Sequence, residues 1–262
     1  MRTQIRKLAR RLLPDSVRQP FGAAAGRFDQ AVFKRAGGFL FDLRGGIYKA
    51  DGCEFIIAKD LTTMSYRAEF LSDLYEGEER QMVREFVQPG DAVLELGACI
   101  GVVSCVTNKI LADKKRHVVI EANPFCIPSL YRNRNLNRAG FLIENCVVSA
   151  QPEVVFHVSP CIRSGGMLAR EKSIPVRVPV RSLADLEKRY GPFTALIMDV
   201  EGGELEILEA ARESLPNYRL VILELHDFAI GQAGIERCRA ILTEAGLKMC
   251  QRKTDVETWR RG

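Results

Sequence analysis

"DAVLELGACIGVVS", Asp91 to Ser104, runs from an apolar stretch through Glu95 into a glycine-bearing turn and out into a second apolar segment. "AVLEL" reads as a buried strand and "GVVSCVTNKILA" as a helix, so the turn joins the end of one to the start of the other. Upstream, "EERQMVREFV" has helical periodicity and stops at "QPGD"; downstream, "HVVIE" is a second strand. Strand, helix, strand with short connections predicts parallel pairing.

The alternation continues along the chain. "SLYRNRNLN" predicts a helix and "FLIENCVV" a third strand, and "EVVFHV" with "IPVRVPV" forms a hairpin-like excursion around "SPCIRSGGMLAREKS". Ser182 with Asp185 three residues on is a capping-box start to "LADLEKRY". "TALIMDV" is strand four, "GELEILEAARESL" an amphipathic helix and "RLVILEL" strand five. "GIERCRAILTEAG" is a further helix closed by Gly246, and "LKMCQR" and "VETW" supply the last strands. The fold class expected is α/β, with residues 76–262 as one sheet domain and residues 1–75 as a basic helix plus an accessory or lid segment, in which "CEFIIAK" is a strand.

The net charge of +5 belongs to the first twenty residues, where six cations face Asp15 alone; the remaining residues carry 32 basic against 32 acidic side chains. A balanced body offers no basic stripe for nucleic acid. "MRTQIRKLARRLLP" sets Ile5, Leu8, Leu12 and Leu13 at helical spacing beside arginines, a pattern of peripheral contact with an anionic membrane, of a solvated helix on its own domain, or of a transit peptide. No run has the length of apolar residues that a membrane span needs, and no secretory h-region opens the chain, so a cytoplasmic setting is expected. The eight cysteines show no C-x-x-C pair and read as reduced, mostly buried thiols. His117, His157 and His226 lie far apart, and no metal-ligand spacing is present.

The turn itself narrows the ligand. A dinucleotide fingerprint needs glycines at i, i+2 and i+5; here those places hold Gly97, Cys99 and Val102. What stands is Glu95, Gly97 and Gly101 before a helix whose free amides favour a carboxylate. The second strand ends in Glu121, placed to accept both hydroxyls of a ribose. A carboxylate, a ribose and close backbone approach without a diphosphate together describe S-adenosylmethionine. The cofactor-binding set expected is Glu95, Gly97, Ala98, Cys99 and Gly101 of the turn, with Glu121 and Asn123 at the next strand end.

"VQPGDAVLELGACIG", "VRSLADL" and "ALIMDVEGGELEIL", in that order, resemble the FkbM family of S-adenosylmethionine-dependent methyltransferases, most specifically in "DVEGGE", Asp199 to Glu204. The resemblance covers about residues 75–226. It implies a Rossmann-like, seven-stranded class I methyltransferase sheet, mostly parallel with a reversed C-terminal hairpin, and methyl transfer to hydroxyl oxygens of sugars or other small metabolites. Two positions depart from the family: Cys99 stands where it usually has Asn, and Ile197 where it usually has Lys.

An alcohol acceptor must lose its proton as it attacks the methyl group, which requires a base. The strand ends supply Asp199, Glu201, Glu224 and His226; His226, Glu201 and Asp199 are the catalytic candidates, and Glu204 and Glu206 read as helix-capping acids. Tyr66, Tyr75 and the Ser164–Leu168 loop are candidates for the acceptor side. Two other readings stay open: a noncatalytic binding module on the same fold, favoured by Cys99 and Ile197, and an NAD(P)-dependent oxidoreductase, disfavoured by the glycine spacing.

Overall fold

The computed structural model describes residues 34–158, 162 and 173–262. The basic segment 1–20, Cys161 and the Ser164–Leu168 loop therefore lie outside the described residues.

A helix over 34–43 (α1) leads into the hairpin Ile47–Ala50 (β1) and Cys53–Ile56 (β2), then the short helices Met64–Arg67 (α2) and Gly77–Phe86 (α3). The sheet begins at Val93–Leu96 (β3), followed by Val102–Ile110 (α4), His117–Ile120 (β4), Ile127–Leu136 (α5) and Leu142–Glu144 (β5). Val147–Val148 (β6), Val155–Val158 (β7), Ile174–Arg177 (β8) and Val180–Arg181 (β9) form the excursion. The chain returns through Leu183–Tyr190 (α6), Ala195–Met198 (β10), Glu204–Ala210 (α7), Leu220–Glu224 (β11) and Asp227–Glu244 (α8) to the hairpin Leu247–Lys253 (β12) and Val256–Arg261 (β13).

The seven-stranded sheet has the order β12-β13-β11-β10-β3-β4-β5. Every pairing from β11 to β5 is parallel, and β13 runs antiparallel to both neighbours, which is the reversed C-terminal hairpin. The inner parallel strands β3, β4, β10 and β11 are buried and mostly apolar, Glu95, His117 and Glu224 excepted, as burial under helices on both sides demands, while the edge strand β5 is partly exposed. Val93, Val119, Ile197 and Ile222 face a cluster that contains Met82 and Val83 of α3, Val102 and Val106 of α4, and the hairpin aromatics Tyr48 and Phe55. Leu94, Val118, Leu196 and Val221 face Leu186 of α6, Leu208 of α7 and Ile241 of α8.

The N-terminal hairpin shares that first cluster and is tied to α5 through its backbone, with Ile56 N donating to Asn133 Oδ1 and Glu54 N to Asn137 Oδ1, both at 2.9 Å. Arg80 of α3, 2% exposed, pairs with Asp51 of the hairpin turn and with Asp73, so one buried guanidinium pins hairpin, loop and helix together.

Three expectations from the sequence shift. "FLIENCVV" is two strands: Asn145 Nδ2 donates to Glu121 O and Ala122 O, which closes β5 against its neighbour and sends β6 out to pair with β9. The "GELEILEAARESL" helix ends at Ala210, giving way to the 3-10 turn Leu215–Asn217. The last long helix starts earlier than "GIERC", at Asp227, and breaks at Gly231 (φ 65°, ψ 171°), a conformation open to glycine. Seven cysteines among the described residues are free: five are buried, Cys99 is half-buried and Cys250 is exposed.

Candidate active site

A cavity of about 890 Å³ opens at the carboxyl ends of β3, β4, β10 and β11, where an α/β sheet of this winding places its ligand. Gly97 is where two strand ends meet. Asp199 N donates to Leu96 O at 2.9 Å, and a Cβ on Gly97 (φ 90°) would overlap the Asp199 carbonyl oxygen. Only glycine fits that approach. Cys99 (φ 49°), Glu76 (φ 48°) and Glu201 (φ 53°) also line the cavity in left-handed backbone conformations that are costly for non-glycine residues, and such strain gathers at functional sites.

Glu121 follows β4 directly and is 6% exposed. Its Oε2 accepts from Cys99 N and its Oε1 from Asn123 N, each at 2.6 Å, which fixes the carboxylate and leaves a lone pair on each oxygen for a further donor. Burial pushes its pKa up to about 7, with the two amides pulling the other way. Asn123 also lines the cavity, and its Oδ1 accepts from Phe125 N at 3.0 Å.

Other members of the expected cofactor set sit elsewhere. Glu95, 2% exposed, is bonded to Ser104 Oγ and to His117 Nε2 at 3.0 Å and does not reach this cavity. Ala98 and Gly101 shape the turn from behind: Ala98 N donates to Ile120 O, and Gly101 N-caps α4. Val103 N of that helix donates to Glu76 Oε2 at 3.3 Å, and burial raises the Glu76 pKa to about 8.

The second group gathers at the ends of β10 and β11. His226, the N-cap residue of α8, donates from Nδ1 to Glu204 Oε1 at 2.6 Å. That bond directs Nε2 toward Asp199 Oδ1 at 3.7 Å and Glu224 Oε1 at 3.8 Å. Burial acts to lower the His226 pKa, but the bond and charge of Glu204 outweigh it and hold the ring above its ordinary value. Burial, reinforced by Glu79, Glu201 and Glu76, pushes Asp199 well above the carboxylate range. Burial and the Asp199 charge push Glu224 to about 9. Glu201 lines the same cavity.

Glu204 sits in the first turn of α7, as its reading as a helix-capping acid expects, and does more besides. It is fully buried, and its Oε1 also accepts from Gly202 N at 2.9 Å, so it orients His226. As the closing residue of "DVEGGE", it carried its signal in the motif. Glu206 reaches across to Ser149 Oγ and Ala150 N. Asp199, Glu224 and His226 offer three ligand atoms within 4.8 Å of one another, a cluster that spacing along the chain does not reveal. Tyr66 and Tyr75 are in the cavity wall, but as members of an aromatic cluster with Phe70; the Tyr75 hydroxyl donates to Cys99 Sγ at 3.7 Å.

Residues 95–249, more than half of the chain, match the Methyltransferase FkbM domain. The chain belongs to the FkbM methyltransferase family. Its activity is S-adenosylmethionine-dependent methyl transfer. Among solved structures it is similar to a precorrin-6y C5,15-methyltransferase from Geobacter metallireducens GS-15 (11% identity, 79% of this chain and 94% of that one, TM-score 0.48). It is also similar to M. jannaschii TYW2 in complex with AdoMet (14% identity, 82% and 85%, TM-score 0.44). A third is a ribosomal protein L11 methylase from Lactobacillus delbrueckii subsp. bulgaricus (12% identity, 73% and 81%, TM-score 0.46). No curated protein sequence gives a significant match.

The residues of this FkbM methyltransferase fit the cofactor. Glu121 presents two fixed acceptor oxygens to a ribose diol, and the Gly97 turn lets backbone approach closely. Nine acidic side chains against three basic ones line the cavity; Glu76, Glu121, Asp199 and Glu224 are pushed toward their neutral forms by burial, and the other five acids still outnumber the basic groups, a field suited to the cationic sulfonium and ammonium groups. No helix among the described residues is long and apolar enough to cross a membrane.

Proposed function

We propose that the FkbM methyltransferase transfers its methyl group to a hydroxyl oxygen of a glycan or other small metabolite. Bound S-adenosylmethionine supplies an electrophilic methyl on sulfur; the chain's own residues must position the acceptor and take its proton. The observation that carries this reading is the imidazole of His226, held by Glu204 through Nδ1 with Nε2 turned to the cavity end that Asp199 and Glu224 form. A nitrogen fixed in this tautomer is a proton acceptor, and a hydroxyl is the acceptor group that needs one. Asp199 and Glu201 complete the group and stabilise the imidazolium.

The acidic lining favours a neutral or cationic acceptor and opposes a polyanion such as nucleic acid, since like charges in a cleft repel. The Ser164–Leu168 loop and the basic N-terminus retain their roles as acceptor-side and peripheral-membrane candidates.

The test is to incubate the protein with S-adenosylmethionine and a panel of hydroxylated sugars and metabolites, and to locate the methyl group by mass spectrometry. O-Methyl products support the reading; N- or C-methyl products, or cofactor binding without turnover on any acceptor, contradict it. His226→Ala is expected to retain cofactor affinity and lower turnover about 10²- to 10⁴-fold, the usual worth of a positioned base. Unchanged turnover moves the base elsewhere.

A further inference from the structure

Asp199 follows β10, and Glu224 and His226 stand at the end of β11; two of their oxygens and Nε2 lie within 4.8 Å of one another. Two observations separate this convergence from an ordinary acidic surface. First, the His226 side chain is only 10% exposed and its Nδ1 is committed to Glu204, yet Nε2 has no hydrogen bond to any described residue; its nearest oxygens stand at 3.7 and 3.8 Å. Second, Asp199 Oδ1, one of those two oxygens, is shut off from solvent and without a hydrogen-bond partner among the described residues. Buried polar atoms of this kind are rare unless something absent from the protein itself satisfies them.

These separations are too long for hydrogen bonds, and they fall within the range for ligands that share a cation. Atoms about 2.1 Å from a common centre lie roughly 3.0 Å apart at right angles and roughly 4.2 Å apart when opposed. The Glu204–His226 pair has the form that metal-binding imidazoles take, with the far nitrogen bonded to a carboxylate that fixes ring and tautomer. Of the three basic side chains in the cavity lining, Arg80 pairs with Asp51 and Asp73 and Arg84 with Asp51, and among the described residues none of the three, Lys253 included, forms an ion pair with Asp199 or Glu224.

We infer that Asp199, Glu224 and the Nε2 of His226 bind a divalent cation of the Mg²⁺/Mn²⁺ class. Two carboxylates and one imidazole form an oxygen-rich set suited to those ions, and three ligands leave coordination positions for water and for the acceptor oxygen. This rests on the proposal of hydroxyl methylation and revises its choice of base: in the cation-bound protein the Nε2 lone pair is given to the cation, and Glu201, which lines the same cavity, takes the proton in its place. The acceptor oxygen binds the cation, and its O–H proton passes to Glu201. The freed electron pair forms the O–C bond while the C–S pair returns to sulfur, leaving neutral S-adenosylhomocysteine.

The experiment uses the full chain, stripped with chelator and titrated with Mn²⁺ alone, with bound and free ion distinguished by electron paramagnetic resonance. S-Adenosylhomocysteine binding is measured on the same preparations. One Mn²⁺ per chain, weakened at least tenfold by both Asp199→Asn and Glu224→Gln in variants that still bind S-adenosylhomocysteine, supports the site. No bound Mn²⁺ in the wild-type chain overturns it, as does affinity unchanged in both variants. Should either variant lose its fold, the other decides. Mn²⁺ binding without S-adenosylhomocysteine binding would instead defeat the methyltransferase reading and leave the cation site standing, so the two failures are distinct.

Discussion

Glu121 does the most with the least room. Four acceptor positions on one buried carboxylate are divided between two backbone amides and two free lone pairs. Glu121→Gln keeps the shape but sets an amide donor against one of those N–H groups and loses the charge. Charge-assisted bonds are worth about 1.5–3 kcal/mol, so affinity for S-adenosylhomocysteine is expected to fall roughly 10- to 100-fold with the circular dichroism spectrum unchanged. The ionised form is the one with four acceptors, and burial places its pKa near 7. Wild-type affinity should therefore rise from pH 6 to pH 8, and calorimetry on the Gln variant should show that component of the rise gone. At Ile197, where the family usually carries lysine, the strand register pairs the residue with Glu95, whose carboxyl is hydrogen-bonded to His117 Nε2 and Ser104 Oγ instead. Ile197 is 5% exposed and lies in the wall of a small pocket behind Gly97, Asp199 and Glu224.

At the scale of elements, the β3–α4 turn is locked to the end of β10. Gly97→Ala would drive a methyl group into the Asp199 carbonyl and force a positive φ on alanine. A cost of about 3 kcal/mol is expected, read as a fall of roughly 6–12 °C in melting temperature. An unchanged melting temperature would show that the turn relaxes freely. The strand and helix order was legible in the sequence because buried parallel strands are short apolar runs and their connections carry glycine, proline and caps; the Ser182–Asp185 capping box forms as read. The break within "FLIENCVV" was not legible, since a side chain from outside its ladder, Asn145, makes it. Nor was the commitment of Glu95: its partner His117 is a neighbour only once β3 and β4 pair. Asp199, Glu201 and His226 could be singled out as strand-end groups, but the buried bond from Glu204 that orients the imidazole, and the convergence with Glu224, exist only in three dimensions.

For the whole molecule, the acidic cavity sets a pH dependence. Glu76 and Glu121 hold their protons to about pH 8 and about pH 7 in the folded chain, above the ordinary carboxylate value, and Glu224 moves in the same direction. The folded state thus binds more protons than the unfolded state between about pH 5 and pH 9, so this contribution to stability is full below the ordinary carboxylate pKa and is lost as pH rises through 7 and 8. Asp91, which Arg219, the Gln88 amide and Thr194 hold below its ordinary value against the effect of burial, works only at more acidic pH. The ligand-free melting temperature should decline from pH 6 to pH 9; a rise over that range would show that the cavity acids are ionised in the folded chain.

The most direct test of the cofactor site is calorimetric titration of wild-type protein and Glu121→Gln with S-adenosylhomocysteine, with NADH as the competing ligand. One S-adenosylhomocysteine per chain, weakened in the variant and with no NADH binding, is the expected result. NADH binding, or S-adenosylhomocysteine affinity indifferent to the Glu121 change, would contradict the placement of the cofactor in the Gly97–Glu121 cavity.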